Sequence, residues 1–165
     1  MAKELISAVT MIPGYFITWR WYSKINIWVP IFYKSACTFS IVYHALLHFA
    51  GFNPIALKLD IFNQMMCCVF ICLDHDKWLE RYAIIGFIVI LMGLDLRQIR
   101  QRRLAYGMSA AAILMTSGRS PATPLWLAAF VCFLVNKVWP TTWLHGAFHM
   151  ISHVATVILI DKRCL

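Results

Sequence analysis

The sequence predicts an all-α fold, a polytopic bundle of transmembrane helices that forms a single integral membrane domain over residues 1–165. Hydrophobic residues make up 61% of the chain and charged residues 13%, and the mean hydropathy is +0.70. Polar side chains are therefore too few to cover a soluble globule of this size. Apolar runs also recur along the whole length, which leaves no room for a separate soluble module.

Seven apolar runs predict seven helices, with six as the fallback, because short polar or Pro- and Gly-containing turns separate them. The runs are 5–23, 28–51, 54–73, 80–95, 104–118, 123–139 and 142–160. The first run is the weakest, since Pro13 and Gly14 interrupt it and Arg20 closes it. Several runs are shorter than the roughly 20 residues of a full crossing, so these helices must tilt, cross thinned membrane or lie at the interface.

Turn and interface residues support the boundaries of these helices. Asn53 places a capping side chain before Pro54, and residues 140–142, Pro-Thr-Thr, open the last helix in much the same way. The tryptophans all fall near predicted helix ends, as expected of an aromatic belt at the membrane interface. They are Trp19, Trp21, Trp28, Trp78, Trp126, Trp139 and Trp143.

The formal net charge of +8 does not require a nucleic-acid partner, because the positions of the basic residues explain it. They lie at the ends of apolar runs, where the positive-inside rule expects them. The densest cluster, Arg97, Arg100, Arg102 and Arg103, predicts a cytosolic loop near anionic lipid. The predicted partners are the lipid bilayer and a membrane lipid substrate, and the oligomeric state stays open. The expected location is an endomembrane such as the ER or Golgi in a eukaryote, and the inner membrane in a bacterium.

Histidines inside the apolar runs are the main functional signal. His145 and His149 are four residues apart in the last run, so both imidazoles face the same side of a helix. The second run carries Ser40 and His44, also four residues apart, and the lone carboxylate of Asp60 follows in the third. Ionisable groups within a membrane are costly and usually mark function. The pattern predicts a three-histidine zinc centre with an acid beside it.

Helix direction and depth allow these groups to meet. If successive helices alternate in direction, the second ends where the third and the seventh begin. With a rise of about 1.5 Å per residue, His44 lies roughly 10 Å and Asp60 roughly 9 Å below that end. His145 and His149 bracket this level at roughly 5 and 11 Å, and Ser40 is one turn deeper than His44. A zinc ion bound by neutral imidazoles also needs a nearby negative charge, which Asp60 supplies.

Other histidines and the cysteines offer further ligands. His48 and His153 each follow a proposed ligand by one turn and are interpreted as neighbours of the site rather than as ligands. Most of the six cysteines fall in apolar runs and are interpreted as small buried residues. Cys68, Cys72 and His75 form a weaker second candidate for a soft metal, and Cys164 is a candidate for palmitoylation. A lone transmembrane histidine can also simply bond to a neighbouring helix.

The order of these motifs resembles the CREST superfamily of seven-helix membrane hydrolases, which includes alkaline ceramidases and the adiponectin and progestin receptors. The shared features are Ser-x-x-x-His at 40–44, Asp60 opening the third helix, and His-x-x-x-His at 145–149. The segment 144–149, Leu-His-Gly-Ala-Phe-His, looks most like the ceramidase version, with Ala147 in place of an aromatic residue. The early glutamate motif of ceramidases has no clear counterpart, since Glu4 is the only acid before Asp60.

This resemblance implies that His44, His145 and His149 bind Zn2+, while Asp60 and Ser40 contact the water held by the metal. We therefore expect a zinc-dependent intramembrane hydrolase that acts on a lipid amide such as ceramide, or else on a lipid ester. Asp60 would act as general base, and Ser40 would donate a hydrogen bond to the developing oxyanion.

Three alternatives use the same residues differently. In the first, zinc only ties helices together in a non-catalytic receptor or structural protein. In the second, His44 and one of His145, His149 or His153 are axial ligands of a b-type haem. In the third, the histidines form a relay in a proton or metal transporter.

Overall fold

A computed structural model describes residues 2–21, 25–74, 76–118 and 120–161. Every regular element in these residues is helical. The α-helices are α1 (Ala2–Val9), α2 (Ile12–Thr18), α3 (Trp28–Phe49), α4 (Pro54–Asp74), α5 (Trp78–Gly93), α6 (Ile99–Ser117), α7 (Thr123–Val138) and α8 (Thr142–Asp161), and a short 3-10 helix covers Trp19–Trp21. The predicted all-α class is confirmed.

The first predicted run is broken into α1 and α2. Pro13 lies in the first turn of α2 and has no N–H to donate to the carbonyl of Val9, so α1 ends there. Gly14 then allows α2 to approach α3 closely, because a Cβ at this position would lie 2.5 Å from Cys37 Sγ. Counted as one broken segment, α1 and α2 bring the total to the seven predicted segments within the described residues.

Two described helices are long and apolar enough to cross a bilayer, over Pro54–Leu73 and Trp143–Ile160. The apolar segments Glu4–Thr18 and Thr123–Val138 are shorter than that. Length and composition therefore support association with a membrane, and the multi-pass arrangement stays a prediction.

The helices pack around α4, which contacts α3, α5 and α6, while α8 packs against α7 and α1. One hydrophobic cluster fills the space between α3, α4, α5 and α6 and includes Leu57, Met65 and Leu91. A second joins α3 and α4 to α7 and α8 and includes Val29 and Leu159. Together these clusters fix the rotation of α3, α4 and α8, the helices that carry the candidate site.

Local capping explains two of the helix starts. Asn53 Oδ1 accepts hydrogen bonds from the backbone N–H groups of Ile55 (3.0 Å) and Ala56 (2.9 Å), so it caps α4 as predicted. Thr141 Oγ1 accepts the N–H of Leu144 at 3.3 Å at the start of α8. The turn residues therefore determine where both site-bearing helices begin.

Two sequence predictions about surface residues are corrected. The arginine cluster is mostly helical rather than a loop, because α6 begins at Ile99 and includes three of its four members, leaving Arg97 in the turn. Arginine is a good helix former, so the charged stretch extends the helix.

Trp21 and Trp126 are buried in the second cluster instead of facing an interface, whereas the other five tryptophans are exposed.

Candidate metal centre

Helices α3 and α8 bring three histidines together. The Nε2 atom of His44 lies 3.2 Å from His145 Nε2 and 3.4 Å from His149 Nε2. One nitrogen from each ring falls within 4.8 Å of the other two. His44 and His149 are buried and His145 is half-buried, so the group is largely inaccessible to solvent. This group can hold a metal ion, as the sequence predicted.

The distances from His44 Nε2 to the Nε2 atoms of His145 and His149 fit tetrahedral coordination. Two nitrogens bound at about 2.0–2.1 Å to one tetrahedral zinc ion lie about 3.3 Å apart. The two Nε2 separations at His44 match this value. Imidazole donors suit zinc, copper, iron and nickel alike, so the donor type favours this class of metals without selecting among them.

The same geometry argues against the haem alternative for two of its ligand pairs. The ring of His44 has its centroid 4.8 Å from that of His145 and 5.4 Å from that of His149. Axial ligands of one haem lie on opposite faces of the porphyrin. Rings this close leave no space for a porphyrin between them.

Glu4 is a site residue that the sequence analysis did not assign. Its Oε2 atom lies 2.7 Å from His44 Nδ1, across 40 residues of chain. Since a carboxylate accepts, His44 donates its Nδ1–H, and the lone pair of Nε2 then points toward the other two histidines. The available signal was a lone acid in the first turn of an apolar helix.

Gly146, between the two α8 ligands, allows α1 to reach the site. A Cβ at this buried position would lie 3.3 Å from methyl carbons of Ile6 and Thr10, both in or next to α1. Such contacts are tight, so a larger side chain would push α1 away from α8.

We expect Gly146→Val to lower the stability of the protein by about 1–3 kcal/mol, because the added carbons overpack the α1–α8 contact. The measurement is the thermal unfolding temperature of the purified protein. Gly107→Val is the matched control, since Gly107 is exposed on α6 and a Cβ there meets nothing within 4 Å. Equal unfolding temperatures for the two variants would contradict the close approach of α1.

Asp60 is buried and held by a short polar chain. Gln64, one turn along α4, donates from Nε2 to Asp60 Oδ1 at 2.8 Å. Ser109 on α6 donates in turn to Gln64 Oε1 at 3.2 Å. These bonds fix one oxygen of the carboxylate, and Gln64 is a second residue that the sequence analysis missed.

Ser40 completes the polar layer. It is fully buried and lies beside Asp60. Its Oγ atom lies close enough to Asp60 to donate to the carboxylate, but it makes no hydrogen bond of ordinary geometry among the described residues. The hydroxyl can therefore turn toward a polar group that enters the site.

The other histidines stay outside the three-histidine group. His153 donates from Nε2 to the carbonyl of Thr10 at 3.0 Å, and its Nδ1 accepts the hydroxyl of Tyr33, so both ring nitrogens are engaged. The ring of His48 lies against Phe49, with centroids 4.5 Å apart. Their interpretation as neighbours rather than ligands agrees with this placement.

The cysteines of the described residues are free thiols, and those of α3 and α4 are buried as predicted: Cys37, Cys67, Cys68 and Cys72. The Sγ atom of Cys72 lies 3.6 Å from Thr116 Oγ1. The second soft-metal site depended on His75 and the palmitoylation site on Cys164, and both of these residues lie outside the described residues.

A cavity of about 80 Å³ adjoins the metal centre. The residues that line it include His149, Gln64, Ile71, Ile113 and Leu159. The cavity is largely apolar, and it is smaller than the roughly 300–1,000 Å³ of an ordinary ligand site, so it has room for only a few carbon atoms. Comparison of the chain with protein-family models, curated proteins and solved structures found no match.

Proposed function

We propose that the protein is a zinc-dependent intramembrane hydrolase that cleaves a lipid amide, with ceramide-like lipids as the first expected substrates and lipid esters as the second. The observation that carries the proposal is the set of Nε2 separations at His44, which match those of ligands on one tetrahedral zinc ion. The motif resemblance to alkaline ceramidases supports the choice of an amide.

The remaining residues supply the acid–base chemistry. A zinc ion held by three imidazoles provides a Lewis acid that makes water acidic near neutral pH. Asp60 accepts the proton of the attacking water as the C–O bond forms, and returns it to the leaving amine as the C–N bond breaks. Gln64 donates to Asp60 Oδ1 and so fixes the orientation of the carboxylate for this transfer.

Ser40 is placed to stabilise charge on the reacting carbonyl. Its hydroxyl is buried beside Asp60 and makes no hydrogen bond of ordinary geometry among the described residues, so it is free to turn from the carboxylate to a bound carbonyl. It donates a hydrogen bond to the oxygen that becomes negative as the tetrahedral centre forms. The small apolar cavity beside His149 holds a few carbon atoms of the acyl chain, and the rest of the lipid lies in the bilayer from which it enters.

The test is hydrolysis by the purified protein in lipid nanodiscs. We expect release of fatty acid from a ceramide with a labelled acyl chain, loss of this activity after dialysis against a chelator, and its return with added zinc. A matched lipid ester, assayed alongside, ranks the two substrate classes. A fully zinc-loaded protein that releases no fatty acid from any lipid would contradict the proposal.

A further inference from the structure

We infer that Glu4 is a positioning residue for His44 and that it sets the metal affinity of the centre; the inference rests on the metal site of the proposed function. The carboxylate lies 2.7 Å from His44 Nδ1, on the side of the ring opposite the nitrogen that faces the other histidines. The side chain of His44 is 4% exposed and that of Glu4 is 18% exposed, so the pair is shielded from competing water.

A carboxylate in this position acts on the metal through the ring. By accepting the Nδ1–H, Glu4 keeps His44 in the tautomer whose free Nε2 can bind an ion, and it holds the ring in one orientation. Charge matters as well, because three neutral imidazoles leave both charges of a divalent ion uncompensated. The carboxylate of Glu4, in contact with His44, places one compensating negative charge beside the three histidines.

The fold delivers Glu4 to this position through α1. Thr10, just after α1, accepts a hydrogen bond from His153, and Ile6 packs against Gly146, so α1 is fixed to α8 at two points. Glu4 lies two residues before Ile6 and reaches across to α3. The metal ligands of α3 and α8 therefore share α1 as a common support.

An acid in the first turn of a helix can also have a purely structural role, since it interacts favourably with the helix dipole. That role predicts no change in zinc affinity when the acid is replaced. The positioning role predicts that replacing Glu4 weakens zinc binding. It also predicts the reciprocal effect, that bound zinc stabilises the docking of α1. If Glu4 strengthens zinc binding, bound zinc must strengthen the docking of α1 by the same factor.

The experiment compares the zinc affinity of the whole protein and three variants by competition with a chromogenic chelator, without any lipid substrate. We expect Glu4→Gln to weaken zinc binding by about 10–100-fold, the usual effect of losing a hydrogen-bond partner of a metal ligand. Glu4→Asp retains a carboxylate and should recover part of the loss. Glu80→Gln is the matched control, because Glu80 is the acid in the first turn of α5 and should leave zinc affinity unchanged.

Hydrogen exchange of residues 2–9 gives the second readout. We expect added zinc to slow exchange in the wild-type protein and to slow it less in Glu4→Gln. A Glu4→Gln affinity within about twofold of that of Glu80→Gln would overturn the inference. If Glu4→Gln does not fold, Glu4→Asp decides the question by the same comparison with Glu80→Gln. A protein that binds zinc and hydrolyses no lipid refutes the proposed function alone, since affinity is measured separately.

Discussion

His149→Ala is expected to reduce the zinc content of the purified protein from about one ion per chain to nearly none. The substitution leaves His44 and His145 as the only histidine ligands, and two imidazoles bind zinc far more weakly than three. His149 is buried, and its Nε2 lies 3.4 Å from that of His44, so no solvent-exposed residue can easily take its place. Elemental analysis of the purified variant measures the effect, and lipid hydrolysis should fall to background with it.

The control for this prediction is His48→Ala. His48 lies one turn beyond His44 on α3 and outside the three-histidine group. It should retain the wild-type zinc content. Full zinc content in His149→Ala, with loss in His48→Ala, would show that different ligands form the centre.

Asp60→Asn is expected to retain zinc and to lower the rate of lipid hydrolysis by about 10²–10⁴-fold, the usual contribution of a general acid–base residue. An asparagine has nearly the same shape and can still accept the hydrogen bond from Gln64. It cannot accept and return a proton, so the chemical step is lost while the metal site persists. The measurements are the turnover rate and the zinc content of the same sample.

Asp95→Asn serves as the control, because Asp95 is exposed in the turn between α5 and α6. Asp95 Oδ1 accepts a hydrogen bond from the backbone N–H of Arg97, and the Oδ1 atom of asparagine can accept the same bond, so activity should not change. If Asp60→Asn and Asp95→Asn hydrolyse lipid equally well, Asp60 is not the base. If the wild-type protein binds zinc without any hydrolysis, the structural-zinc alternative applies instead.

Much of the secondary structure followed from local sequence. The starts of α4 and α8 were predicted at the residues observed, because Asn53 and Thr141 provide capping oxygens next to strongly apolar runs. The start of α6 was placed five residues too late, since charged arginines interrupt the apolar pattern although they favour helix. Pro13 signalled the break after Val9, but no local feature of the sequence indicated where α1 would then pack.

The three histidines of the candidate metal centre were predictable for a similar reason. His145 and His149 share a helical face through their spacing alone, and the alternation of helix directions placed His44 at the same level. Glu4 and Gln64 were missed because neither belongs to a recognisable motif. Their roles depend on partners in other helices or on the exact rotation of one helix.

The sequence by itself determined the helical class, the approximate helix boundaries and the three histidines that can share a metal ion. These properties depend on helix periodicity, capping and apolar composition, which act over a few residues. Only the tertiary structure decided that Glu4 supports His44 and that Gly146 admits α1. Those contacts join residues 40 or more positions apart, so the packing and rotation of whole helices determine them.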